Sequence, residues 1–171
     1  MKKFILGAIC AICSFTAANA QATAPKFGHV NSQEIVQAMP EFATARTEIE
    51  TLTHQYEADL QQMQEELQRK AEAFEREEAT LPENIKNRRN QELQDLYQRI
   101  QQTYQDNQQA LQQAQQEKMQ AITTKVLEAI KAVGQDGGFV YIMDISGGIP
   151  YISTTLSTDV TALVKARLGI Q

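Results

Sequence analysis

From Glu41 onward, apolar side chains return at positions 42, 45, 49, 52, 56, 60, 63, 67, 71 and 74 (Phe, Ala, Ile, Leu, Tyr, Leu, Met, Leu, Ala, Phe). Steps of three and four residues keep them on one face of a helix, with Glu, Gln, Lys and Arg dominating the positions between. No Gly or Pro interrupts the span 41–81. At about 1.5 Å per residue the pattern predicts a rod of roughly 58 Å, which cannot bury its own stripe and requires a partner. That partner starts at Thr80-Leu81-Pro82-Glu83, where Thr80 and Glu83 have capping-box spacing and Pro82 suits a first turn. A second stripe follows at Ile85, Leu93, Leu96, Ile100, Tyr104, Leu111, Ala114, Ile122, Val126, Ile130 and Val133, and Gly134 is expected to cap it. Two long helices joined by so short a link must run antiparallel.

The flanks have a different period. Residues 26–31 predict a short strand, and Asn31 with Glu34 predicts a helix start. Pro40 should stop that helix at Met39 and open the next one. Near the other end, Phe139–Ile145 and Ile149–Ser153 predict a β-hairpin around Gly147-Gly148, with Pro150 suiting an edge or strand start. Ser157 or Thr158 should then cap a short helix carrying Val160, Leu163, Val164 and Leu168 and ending at Gly169. The fold class is therefore α+β, mostly α. A long antiparallel helical hairpin (41–133, tip near 79–83) is inserted in a small β-containing body (26–40 and 134–171). A body of that size is marginal alone. Self-association is expected through Val30, Phe139, Val140, Ile142, Ile149 and Ile152, which would also shelter the strand edges.

The first twenty residues read as a signal peptide. Lys2 and Lys3 precede an apolar run, Phe4–Phe15, shorter than the ~20 residues a spanning helix needs. Ala18 and Ala20 give the small-residue cleavage pattern, so the cut is expected between Ala20 and Gln21. Both cysteines, Cys10 and Cys13, fall in the removed piece, which excludes disulfide and thiolate chemistry from the mature chain. Loss of two lysines and no acids moves the net charge from −5 to about −7. That balance argues against nucleic-acid binding. The absence of Trp and the 6% of aromatics suit long exposed helices.

Catalytic chemistry has no foothold. His29 lies in the first predicted strand and His54 on the polar side of the arm, neither with metal-ligand spacing or a nucleophile nearby. No phosphate-binding glycine loop is present, and the paired glycines read as turns. No enzyme activity, metal or cofactor is expected. The binding features lie on the arm. Ten of the nineteen residues 98–116 are Gln, and Gln98, Gln102, Gln105, Gln109, Gln112 and Gln116 share one face. Amides donate and accept without a fixed partner, so this face is either a solvated surface or a weak lining for an unfolded chain. Met63, Phe74, Ile85 and Tyr97 are the apolar side chains expected to be thinly packed and available for contact. Glu75, Glu77 and Glu78 face Lys86, Arg88 and Arg89 across the tip, which reads first as surface ion pairing. That basic cluster is also the one place suited to lipid or lipopolysaccharide, although the adjacent acids cancel much of its field.

The opening Phe27-Gly28-His29-Val30-Asn31-Ser32, the Met39-Pro40-Glu41-Phe42 break, the Gln/Glu-rich hairpin and the closing Gly138-Phe139-Val140-Tyr141-Ile142-Met143-Asp144 with its Gly-Gly turn together resemble the Skp (OmpH-like) family of periplasmic chaperones. The likeness covers essentially the whole mature chain and rests on the order and length of elements. It implies a homotrimer whose hairpins surround a cavity holding an unfolded outer-membrane protein, with no ATP involved. The best-known members are strongly basic and this chain is acidic, so the family's proposed lipopolysaccharide site is not carried over. The alternative is a non-chaperone coiled-coil scaffold or adaptor of the envelope, although adaptors usually carry lipoyl-like β modules and this chain has few strands. Intact-mass measurement of the exported protein should give a chain beginning at Gln21; retention of Cys10 and Cys13 would refute the cleavage assignment.

Overall fold

The computed structural model describes residues 24–170. The cleavage site Ala20–Gln21 lies outside them. Strand β1 is Lys26–Val30, helix α1 Ser32–Ala38 and helix α2 Pro40–Glu77, followed by a short 3-10 turn, Glu78–Thr80. Helix α3 runs Glu83–Gly137, strand β2 is Phe139–Asp144, β3 is Ser157–Asp159 and α4 is Thr161–Leu168. The architecture is mostly helical, with a long antiparallel hairpin projecting from a small sheet-containing body.

The three strands are ordered β2-β1-β3, and β1 pairs in parallel with both neighbours. Parallel neighbours cannot be joined by a tight turn and need a crossover of a dozen residues or more. The crossover from β1 to β2 is the entire helical hairpin. The connection from β2 to β3 is the irregular stretch 145–156, which passes from one edge of the sheet to the other.

This topology corrects the expected β-hairpin. Gly148 does make the turn, at φ +80, and its N–H donates to the Ile145 carbonyl at 3.1 Å. The chain then does not return along β2, and Ile149 and Ile152 lie in irregular structure. The residues read as a helix cap, Ser157 and Thr158, form β3 instead. Pairing on the free side of β1 adds a ladder continued by the Val160 N–H on the His29 carbonyl at 2.9 Å. It also delivers Val160 and Val164, both 0% exposed, into the core. A return along β2 would leave those two valines outside and the second edge of β1 bare.

The core joins Val30 of β1, Ile35 of α1, Met39, Val160 and Val164 to Ile122, Val126, Ala129 and Val133 of α3. The last turns of α3 thus belong to the body's packing. At the other helix ends, some local expectations meet different partners. Asn31 Oδ1 accepts from the Glu34 N–H at 3.1 Å, as a cap should, but the Glu34 carboxylate pairs with Lys165 at 2.7 Å rather than reaching back. Thr80 does not cap α3; its hydroxyl donates to the Glu77 carbonyl at 2.9 Å, and Pro82 stands at the N-cap. Helix α3 passes through Gly134 and ends three residues later, where Gly138 takes φ +64. At Gly134 α3 passes close to β2: a Cβ there would sit 3.3 Å from Ile142 Cδ1, so the isoleucine side chain would have to give slightly.

One carboxylate fastens β2 to α1. Asp144 Oδ1 accepts from the N–H groups of Ser32 and Ser146 at 3.2 and 3.0 Å, and Oδ2 accepts from the Ser32 hydroxyl at 2.5 Å. Burial works to raise its pKa, but the Ser32 hydroxyl and the two N–H donors outweigh it, so the carboxyl lies below its ordinary 3.8. A depressed folded-state value contributes stability that is present above 3.8 and lost as pH falls through the folded value. Asp144→Ala should therefore destabilise at neutral pH by about 1–2 kcal/mol. The gap from wild type should shrink in urea melts taken at progressively lower acid pH; a gap that stays constant would refute the assignment. Ile35→Ala, which empties a site with 0% exposure, should cost about 2–5 kcal/mol, read as a lowered urea midpoint.

Candidate binding surfaces of the arm and body

Helix α2 is about 57 Å long and α3 about 83 Å, at roughly 1.5 Å per residue. Their pairing is held in one register by three ion pairs across the arm: Glu41–Lys125 at 2.9 Å, Glu48–Lys118, and Glu77–Arg89 at 2.8 Å. Twenty-nine residues separate Glu48 from Glu77, and the same number separates Arg89 from Lys118, so the helices pair without a slip between these points. The Lys125 ammonium, with backbone support, holds the Glu41 carboxyl below its ordinary value. These are exposed pairs, each worth about 0–1 kcal/mol; they set alignment more than stability. Within each helix, Gln61 donates to Glu65, Gln102 to Asp106 and Gln113 to Glu117 at 2.8–3.0 Å. Such contacts one turn apart support helicity where tertiary packing is sparse.

All six glutamines of the predicted stripe, Gln98, Gln102, Gln105, Gln109, Gln112 and Gln116, are exposed. Tyr97 and Tyr104, 57% and 53% exposed, stand two turns apart beside them. Tyr104 belongs to the apolar stripe by spacing, yet it keeps much of its ring in water. Met63 and Ile85 are half-buried. Phe74 departs from expectation: it is buried, in a pocket wall shared with Leu93, Arg88 and Arg89 near the tip. The Glu77–Arg89 bridge closes the hairpin there, so Phe74 is spent on the arm's own packing. Arg88 reaches Glu92 at 3.6 Å on its own helix, and two of the three tip cations are thus paired with acids.

The body carries the larger apolar exposure. Val30 is consumed by the core at 1% exposure, which removes it from the outer surface. Phe139 and Ile142 are half-buried and pack inward against the core, while Ile149 and Ile152 are half-buried in the irregular connection. Val140 is 63% exposed, flanked by Tyr141 and Met143. The cause is a register shift in the β1–β2 ladder: Lys26 pairs with Phe139 but Phe27 pairs with Tyr141, leaving Val140 as an extra residue. A bulge re-aims the side chains that follow it. Plain alternation would put Tyr141 and Met143 on the side of Phe139. The shift instead turns Val140, Tyr141 and Met143 outward and keeps Ile142 inward.

Leu127, Tyr151 and Leu156, which no predicted stripe includes, present more than half their surface. Leu163, expected on the apolar face of the last helix, is 54% exposed instead, while Val160 and Val164 are buried. Leu127 was detectable, since it adjoins stripe residue Val126 but does not itself fall on the stripe. Tyr151 and Leu156 had no such signal, because their exposure follows from the missing β-hairpin. Leu127, with Ile130, Gly134, Phe139 and Val140, lines a groove between α3 and β2.

The histidines have ordinary partners. His29 Nδ1 is 2.8 Å from the Ser157 hydroxyl, linking β1 to β3, and His54 lies 3.4 Å from Glu57. Among the described residues, no group of three or more His, Cys, Asp or Glu side chains converges on a metal-sized site, and no helix is long and apolar enough to cross a membrane.

A two-helix arm inserted in the crossover of a small parallel sheet, with its apolar exposure gathered on the body, defines an arm-and-body protein built for contact. The family model for outer membrane protein (OmpH-like) matches residues 26–168. The chain belongs to the OmpH-like family. Among solved structures it is similar to a Caulobacter crescentus protein provisionally named an outer membrane chaperone (OmpH-like), with a TM-score of 0.73 and 18% identity over 84% of this chain and 83% of that one. At that identity the likeness speaks for the fold. No match was found among curated protein sequences.

Proposed function

We propose that this chain is a periplasmic holdase chaperone, exported by a cleaved signal peptide, that binds unfolded outer-membrane β-barrel proteins and keeps them from aggregating without ATP or catalysis. The observation that carries the reading is the uncharged face of α3, with six exposed glutamines bordered by Tyr97 and Tyr104, on an arm that reaches far beyond its body. Strands of outer-membrane proteins alternate apolar and polar residues and aggregate in water. Amide groups can meet their backbone and aromatic rings their apolar side chains, each contact weak enough to be released. Membership of the OmpH-like family supports the same role.

The working form is a homotrimer, with three arms enclosing the client. The outward Val140, Tyr141 and Met143 on a sheet edge support self-association through the body, since contiguous exposed apolar surface marks a contact site. Ion pairing within the tip leaves little net field for lipopolysaccharide.

Native mass spectrometry of the mature protein should show a trimer that takes up one unfolded porin. The same protein should suppress light scattering when a porin is diluted out of urea. A trimer that leaves aggregation unchanged would favour an envelope scaffold. Replacing the six stripe glutamines by Glu should weaken porin holding severalfold while circular dichroism keeps its helical signal; undiminished holding would remove the amide face from the mechanism.

A further inference from the structure

The arm is not uniform along its length. In α3, Leu96 and Ile100 are buried towards the tip, and Ile122, Val126, Ala129 and Val133 are buried towards the body. None of residues 101–121 between them is buried, a stretch of about six turns. In α2 the sole buried residue is Phe74, near the tip. The ion pairs across the arm follow the same division, with two at the body end and one at the tip. Among the described residues none crosses the arm between Glu48–Lys118 and Glu77–Arg89.

Within that stretch, Asn107 occupies a stripe position, three residues after Tyr104 and four before Leu111. Its Nδ2 is buried with no hydrogen-bond partner. Spacing from the Glu48–Lys118 pair sets it level with Asp59 and Leu60 of α2. A buried donor without an acceptor carries the full desolvation cost of its group, and separation of the helices lets water relieve it. The side chains that would separate with it, among them Tyr56, Leu60, Met63 and Leu111, are only half-buried.

We infer that the arm is two firmly paired segments joined by a weakly held middle that opens at Asn107, baring the seam around Tyr56, Leu60 and Leu111 to an unfolded chain. Opening removes a penalty at Asn107 and sacrifices few apolar contacts. Local opening of this kind is expected where buried contacts are sparse. The opening stands on the geometry of the arm alone; its use for a client rests on the chaperone reading above.

Hydrogen exchange on the mature protein without client tests the opening. Helical amides lacking tertiary support are weakly protected, so residues 53–66 and 101–114 should exchange at least tenfold faster than 89–100 and 118–133. Asn107→Leu, which replaces the unpaired donor by an apolar side chain, should slow the middle at least tenfold and leave both ends unchanged. Asn107→Ala, which adds no bulk, should slow it by less. A middle as protected as the ends, or exchange indifferent to both variants, overturns the inference. A urea-diluted porin tests the use: Asn107→Leu should hold it at least threefold more weakly than wild type. Equal holding by variant and wild type overturns the client step and leaves the opening standing. A wild type that holds no porin overturns the chaperone reading together with that step.

Discussion

Parallel pairing of β1 with β2 is the constraint on which the remaining structure depends. Two parallel strands cannot be joined by a tight turn, so a long excursion must separate them, and here the excursion is the arm. The returning helix does more than close the loop. Its last turns bring Ile122, Val126, Ala129 and Val133 against Ile35, Val160 and Val164, so the element that projects furthest also supplies a large share of the body's core. Weakening that packing would loosen the sheet and the root of the arm together.

The two halves of the molecule are stabilised by different physics. The body buries β-branched and aliphatic side chains to near-zero exposure and fastens its edges with directed polar contacts, such as Asp144 on Ser32 and Arg167 on Asp136 at 2.6 Å. The arm buries little. It persists because good helix formers fill its surface, because Gln and acidic side chains one turn apart hydrogen-bond along each helix, and because a few ion pairs fix the register. Low burial leaves such an arm easily deformed without unravelling, which suits the proposed role of meeting chains of varied shape.

Charge distinguishes this chain from the basic members of the family that its sequence resembles. Removing the first twenty residues would make it more acidic, and the tip cations Arg88 and Arg89 are engaged with Glu92 and Glu77. Recognition by general cationic attraction therefore has little support here. The uncharged amides of α3 and the apolar outward face of β2 are the surfaces to which the proposed function assigns contact, and groups of both kinds act at short range, through hydrogen bonds and exclusion of water.

The elements whose causes are local can be read from residue order alone. Stripe periodicity gave both long helices, Pro40 separated α1 from α2, Asn31 capped α1, and Gly169 ended α4 at φ +73. Each of these depends on contacts within about one helical turn, which a linear reading captures. Strand pairing has no local cause, because β1 joins partners more than a hundred residues away and the tail had to choose between folding back on β2 and crossing to β1. Burial of Val160 and Val164 made that choice. The bulge at Val140 was equally invisible, since one unpaired residue reverses the inward and outward sides of everything after it. The fates of Phe74, buried beside the tip bridge, and Asn107, left without a partner in the seam, were set by the register between two helices, a relation that no stretch of either helix contains.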